Sequence, residues 1–410
     1  MRRKMRRTVV LTILLAYGSV VLFGQNVTLY NTNIVDVEGG KVVPGMTVHV
    51  KNGMIARIVK AKKRIKKGQT DYTGTYLMPG LIDSHTHWGN FTMTPEYMRD
   101  MAESYIADGV TTVRDAGGDV RIVKRYEAKL DSGNIVEPSV YTSSFWAGPK
   151  YYGGRARQDT RGYETVNAPW SQEITDSTSL EHLEKIIIEA KVYGCTGLKL
   201  YNDISYDMLK KIVPLCHKHG VKPWGHFAIF PATAMDVVKA GVETVSHTYL
   251  IDGKEGFTSE FKAKCFSQAE IERRDSIFRE MARLGTILDA TIKICMTNNM
   301  EFAARYTNEA YRAGVKIAAG TDWVYMEGDR MKSAFLDELD LLADSCGMSI
   351  PDVLRAATTV GAEIIGQAGR LGVIRKGAEA DLLVLKSNPL ESLKALRQRI
   401  ALYLDGKEVK

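Results

Sequence analysis

The chain places His85 and His87 one residue apart in "LIDSHTHW". On a strand, residues i and i+2 leave the same face, so the two imidazoles would project together, as half of a metal site requires. A tetrahedral site needs four ligands, so the pair must have partners elsewhere. Candidates recur in runs of similar apolar texture: Lys199 in "GLKLY", His226 in "VKPWGHF", His247 in "ETVSHTY" and Asp322 in "AAGTDW". Each has an ordinary explanation when read singly. A histidine at a strand end is commonly a hydrogen-bonded structural residue, and a lysine a solvated charge on a packed stem. An aspartate after Gly-Thr can be an N-cap for the next helix. A shared role requires a scaffold that gathers the ends of several strands.

Between Leu81 and about Ile365 the chain supplies one. Eight β-rich runs, "LIDSHTHW", "VTTVRDAGG", "PSVYTSS", "TGLKLY", "VKPWGHF", "ETVSHTY", "TILDATI" and "VKIAAGTDW", alternate with helical stretches such as "SLEHLEKIIIEAKVYG" and "SYDMLKKIVPLCHKHG". Apolar residues recur at three- and four-residue spacing in the helices, and glycine ends each of these two. Eight strand–helix units of this length predict a TIM barrel, whose chemistry sits at the C-terminal ends of its strands. Four of the eight histidines fall there, with Lys199 and Asp322; His49, His182, His217 and His219 do not.

The ends of the chain read differently. "VTLYNTNIVDVEGGKVVPGMTVHVKNGMIARIVKA" alternates β-branched with polar residues and breaks at Gly and Pro pairs, and the texture returns in "GRLGVIRKGAEADLLVLKSNPL" and "RIALYLDGKEVK". The expected organisation is a small β domain from residues 25–80 and 366–410 with a barrel, 81–365, inserted between them. Before it, "MRRKMRR" and the uncharged run Thr8–Gly24 predict a secretory signal peptide over 1–24, with an uncleaved membrane anchor as the rival reading. Removing its five positive charges from the formal +7 leaves +2, so no nucleic-acid partner is expected, nor a membrane once the segment is gone. The expected location is the periplasm or the exterior. Five scattered cysteines make neither a disulfide framework nor a thiolate metal site.

The motifs "MPGLIDSHTH", "GVTTVRDAGG", "GLKLY", "GHF", "GVETVSH", "AGTD" and "RAATTVGAEIIG…GRLGVIRKGAEADLLVL", in this order, resemble the amidohydrolase superfamily. They are most similar to the branch holding imidazolonepropionase-like hydrolases, lysine-carbamate prolidases and ochratoxin-type amidases. The resemblance implies a distorted TIM barrel with a small β-sandwich built from both termini. It also implies two divalent ions, His85, His87 and Asp322 on the more buried one and His226 and His247 on the other, with carbamylated Lys199 as the bridge. Imidazole and carboxylate ligands without thiolate suit zinc, with manganese, iron or cobalt as alternatives. Two departures stand out: Ser246 precedes His247 where the family often has Glu, which removes a charge but no ligand, and "GLKLYND" differs from the Gly-rich tail of some prolidases.

These readings predict hydrolysis of an amide-type C–N bond, other than a peptide bond, in a small molecule. Asp322 would be general base and Tyr201, two residues beyond Lys199, would support the developing oxyanion. A prolidase-type dipeptidase, a lactonase or a phosphotriesterase would use the same site, and a non-catalytic binding protein would have lost ligands that this chain keeps. Arg114 or Arg155 could meet a peptide carboxylate, although a salt bridge with a neighbouring acid is the simpler role for Arg114. The loops "FWAGPKYYGGRARQDTRGYETVNAPWSQEITDSTSL" and "DGKEGFTSEFKAKCF" are candidate specificity walls. Homo-oligomers are expected from the resemblance alone.

Overall fold

A computed structural model describes residues 26–409 except 62–64, 67–68, 90–93, 133–135, 154–166, 253–266, 296–299, 323 and 328–329. The signal segment, Arg155, Cys265 and most of the second candidate loop therefore lie outside the described residues.

The β-rich ends meet in one mixed seven-stranded sheet. Its strands are β1 (Val27–Asp36), β2 (Lys41–Lys51), β3 (Met54–Lys60), β4 (Tyr76–Pro79) and, from the C-terminal segment, β16 (Leu382–Leu385), β17 (Arg399–Leu404) and β18 (Lys407–Val409). The order is β18-β17-β16-β4-β1-β2-β3, so the termini join where β4 pairs antiparallel with β16. Leu29, Val48, Ile55, Leu77, Leu382 and Val384 form a core separate from that of the barrel.

Gly80 alone separates β4 from the first barrel strand. A Cβ there would lie 2.1 Å from Thr111 Oγ1, so the crossing admits only glycine. The barrel follows as β5 (Leu81–Thr86), β6 (Val110–Asp115), β7 (Ser139–Ala147), β9 (Gly197–Leu200), β10 (Lys222–His226), β11 (Thr244–Ser246), β12 (Ile287–Asp289) and β13 (Ile317–Ala318). A short β8 (Ser171–Glu173) pairs with the end of β7. All eight strand predictions fall on these strands, which run parallel in sequence order. The seam between first and last is closed by Ser84 N–H to Ala319 O and Asp322 N–H to His85 O, both 2.8 Å.

Helices cover the barrel because their sequences place one apolar stripe inward. In Leu180–Tyr193 the stripe is Leu183, Ile186, Ile187 and Ala190; Ser179 caps its first turn and Gly194 ends it. In Tyr206–His219 the stripe is Met208, Leu209, Ile212, Val213 and Cys216. After Asp322 comes no helix but a hairpin, β14 (Val324–Glu327) and β15 (Arg330–Ser333), which removes the N-cap reading of that residue.

One buried acid of the β domain gives a stability prediction. Burial pushes Asp381 up to about 7, although its Oδ1 accepts the Asp405 N–H at 2.9 Å. The folded chain then holds a proton that an unfolded aspartate releases above about pH 4. The contribution of this group to stability is full below pH 4 and is lost as pH rises to about 7. Asp381→Asn should therefore gain on the wild type between pH 4.5 and pH 8, by up to a few kcal/mol. Urea denaturation of both proteins at the two pH values measures the gap, and an unchanged gap contradicts the assignment.

Candidate metal centre

The site is built where the barrel strands end, and the backbone bends sharply there. His247 follows β11 at φ 70°, Thr291 follows β12 at φ 49° and Asp322 follows β13 at φ 48°. Left-handed backbone costs a non-glycine residue on the order of 1 kcal/mol or more and persists only where surrounding bonds enforce it. Here His247 N–H is tied to Asp289 O at 3.0 Å and Asp322 N–H to His85 O.

The bends bring His85, His247 and Asp322 together, with ligand atoms within 4.8 Å of one another, close enough to converge on one ion. Asp322 lies among the imidazoles: Oδ1 is 2.9 Å from His87 Nε2 and 3.5 Å from His85 Nε2, and Oδ2 is 3.7 Å from His247 Nδ1. His87 Nδ1 donates to Gly117 O at 2.9 Å, and His247 Nδ1 meets Thr291 Oγ1 at 2.8 Å. Lys199 and His226 line the same cavity of about 180 Å³ as His87, His247, Asp322 and Tyr201, whose ring centroid is 4.0 Å from that of His226. All seven predicted site residues are thus gathered at one end of the barrel. A larger cleft, about 500 Å³, opens beside Lys316 and Ile317 at the opposite end of β13, where Lys316 pairs with Glu363 and Arg355 with Asp352.

Behind the cavity lies a residue that the sequence pattern did not single out. Asp289, at the end of β12, is fully buried, and its Oδ2 accepts from His85 Nδ1 at 2.5 Å, Arg114 Nη2 at 2.7 Å and Ser246 Oγ at 3.0 Å. Lys199 Nζ donates to the same Ser246 hydroxyl at 3.2 Å. Ser246 thus links the lysine to a carboxylate on the next strand. Arg114 makes the salt bridge expected of it, with its guanidinium over the Trp224 ring. The signal was present in sequence: a carboxylate in the apolar "TILDATI" and a guanidinium in "VTTVRD" each need a buried partner.

This arrangement fits a divalent cation. With Nδ1–H donated to Asp289, His85 presents a bare Nε2, and that atom is buried without a hydrogen-bond partner. Burial, then the Lys199 charge, keeps His85 neutral; burial, then His247, does so for His226; burial holds His247 at about 4. Burial, then Arg114, brings Lys199 down to about 7. His85, His226 and His247 are therefore neutral at neutral pH and Lys199 is partly so, as metal ligands and a carbamate precursor must be. Burial disfavours charge on Asp322 and on His87, but the imidazoles hold the Asp322 carboxyl well below its usual range, and the Asp322 hydrogen bond raises His87. A divalent ion would displace the proton that this last contact needs.

Gly320 tests how closely the site is packed. A Cβ at this position would lie 2.2 Å from Asp289 Oδ1 and 2.8 Å from His85 Cβ. Gly320→Ala must displace one of them, so a protein that still folds should retain metal at least about tenfold more weakly. Equilibrium dialysis against a zinc chelator measures this, and wild-type retention would contradict the packing argument.

Residues 76–409 match the amidohydrolase family. Ochratoxinase of Aspergillus niger is 24% identical over 392 residues, covering 82% of this chain and 75% of that protein. Among solved structures, a Xaa-Pro dipeptidase with methionine bound in its active site superposes with a TM-score of 0.70 at 18% identity, over 94% of this chain and 100% of that one. Molinate hydrolase superposes at 0.69 and 15% identity, over 94% and 95%. A match over most of the length, on a parallel barrel with imidazoles and a carboxylate gathered at its strand ends, means that the chain belongs to the amidohydrolase family of hydrolases.

Proposed function

We propose that this protein is an exported, binuclear metal-dependent hydrolase that cleaves an amide-type C–N bond, other than a peptide bond, in a small molecule. The observation that carries the reading is the meeting of His87, Lys199, His226, His247 and Asp322 around one cavity, with His85 behind them held by Asp289. Two divalent ions, zinc first among the candidates, would supply a water acidic enough to ionise near neutral pH.

The side chains have separate tasks. Lys199, neutral above about pH 7, can add to carbon dioxide: its Nζ forms the N–C bond and releases one proton, leaving a carbamate with two oxygens for a bridge. His85, His87 and Asp322 would hold the more buried ion, and His226 and His247 its neighbour. Asp322, ionised across the working pH range, accepts the proton of the attacking water and delivers it to the leaving nitrogen. The Tyr201 hydroxyl is the proposed donor to the oxyanion.

Arg114 is committed to Asp289 inside the barrel, which removes it as the anchor for a peptide carboxylate; Arg155, the other candidate, lies outside the described residues. Export rests on Met1–Gly24, outside the described residues; among those described, no helix is long and apolar enough to cross a membrane.

Elemental analysis of the purified protein should find two divalent ions per chain. A screen against N-acyl amino acids, Xaa-Pro and other dipeptides, cyclic imides, lactones and aryl phosphotriesters should find turnover among non-peptide amides. Absence of bound metal would overturn the reading, and turnover confined to dipeptides, lactones or phosphotriesters would replace its substrate class.

A further inference from the structure

The helix Phe335–Asp344 carries an acid on the face that it packs against the barrel. That face is Phe335, Leu336, Glu338, Leu339 and Leu342, so Glu338 stands where the pattern calls for an apolar residue, and it is fully buried. A carboxyl in such a place needs partners. Glu338 Oε1 accepts the Ile292 N–H at 2.9 Å, and Oε2 accepts the Lys293 N–H at 2.7 Å. These two groups open the short turn Lys293–Cys295, whose first donors have no acceptor within the turn itself. The carboxyl therefore caps that turn from another element.

The residue just before the capped pair is Thr291. A β-branched residue at φ 49° is a backbone outlier that surrounding contacts must enforce. On its N-terminal side the chain is tied by Thr248 N–H to Ala290 O at 3.3 Å, and on its C-terminal side by the two bonds to Glu338. In this conformation Thr291 Oγ1 meets His247 Nδ1 at 2.8 Å, which leaves Nε2 as the nitrogen available to an ion. Without the cap, Thr291 would relax towards negative φ and carry its hydroxyl off the ring. Asp337, beside Glu338, holds the same turn through Lys293 Nζ at 2.8 Å, but this pair is partly exposed and contributes little.

We propose that Glu338 is a positioning residue for the metal centre: by capping the turn at Ile292 and Lys293 it holds Thr291 in left-handed backbone, and Thr291 fixes the His247 ring for the second ion. The assignment rests on the binuclear reading above, in which His226 and His247 hold that ion. Elemental analysis of full-length protein, loaded with zinc and dialysed against graded chelator, tests it. Glu338→Gln turns one acceptor into a donor that faces an N–H, and Thr291→Val replaces the hydroxyl by a methyl. Each should release one ion at least about tenfold more readily than the wild type and keep the other. Thr291→Ser, which retains the hydroxyl, and Asp337→Asn should keep both. Because the first two changes act on one ring, Glu338→Gln/Thr291→Val should lose that ion no more readily than the weaker single variant. The coupling is reciprocal, so in the wild type the Ile292 and Lys293 amides should exchange with solvent about tenfold more slowly with two ions bound than with one. This last measurement stands even where Glu338→Gln does not fold.

Release of both ions together, wild-type retention of both, multiplied losses in the double variant, or equal amide exchange with one and two ions overturns the positioning role. A wild type that binds no metal overturns the binuclear reading instead, and the ring is then followed directly by nitrogen NMR of metal-free protein carrying isotope-labelled histidine. One His247 tautomer in the wild type and Thr291→Ser, with an average of two in Glu338→Gln, supports the positioning role. The same His247 signals in all three proteins remove it.

Discussion

Asp322→Asn should yield a folded protein with kcat/KM reduced by about 10⁴ on any substrate that the wild type turns over. Asparagine matches aspartate in size and tolerates left-handed backbone, so φ 48° and the Asp322 N–H bond to His85 O both survive the change. What disappears is the charge that lies 2.9 Å from His87 and 3.5 Å from His85. A positioned acid–base group is worth about 10²–10⁴ in rate, and loss of a charged ligand weakens metal retention as well. Steady-state kinetics should be read beside elemental analysis and a thermal melt. A variant that holds two metals and melts like the wild type, yet is inactive, isolates the proton-transfer role. A variant with full activity eliminates it.

The legibility of this site followed from backbone periodicity. The eight strands could be read because each is a short, β-rich and largely apolar run, as both-face burial in a parallel sheet demands. With the strands in order, the barrel rule alone places His85, His87, Lys199, His226, His247 and Asp322 at one end. Asp289 and Ser246 were not legible in the same way, because their roles depend on which strand lies beside which. β11 and β12 pair with Ser246 directly opposite Asp289, and only that register puts the hydroxyl between the carboxylate and Lys199. The change from Glu to Ser before His247 therefore reads as more than a lost charge, because a carboxylate on the neighbouring strand stands behind the lysine. Of the aromatic residues lining the cavity, Tyr201 was expected beside Lys199 and Phe145 and Tyr151 belong to the long segment expected to shape specificity, while Tyr249 comes from the turn after β11, whose spacing carries no such signal.

Arg114→Met should destabilise the fold by about 3–5 kcal/mol, the cost of breaking a buried ion pair from one side. Arg114 and Asp289 are both fully buried, and their contact is 2.7 Å. Burial already raises Asp289, against the opposing pull of Arg114 and Lys199, so removal of the guanidinium leaves a carboxylate with little reason to stay charged. Asp289→Asn strands the opposite partner: Arg114 Nε and Nη1 have no hydrogen-bond partner in the barrel, and Nη2 would keep only a neutral amide. Neutralising both together removes each orphan, so Arg114→Met/Asp289→Asn should be more stable than the two separate losses sum to, by at least about 2 kcal/mol. Denaturant unfolding of the four metal-free proteins measures that coupling, and simple additivity would mean that the pair is not electrostatically linked. Metal retention should behave differently. Every variant lacking the Asp289 charge also lacks the strong acceptor that fixes His85 Nδ1–H, so affinity should fall about 10- to 100-fold even where the double change recovers stability. Stability recovered in the double variant while metal retention is not is the outcome expected of a pair that holds His85 in one tautomer and one orientation first and the barrel second.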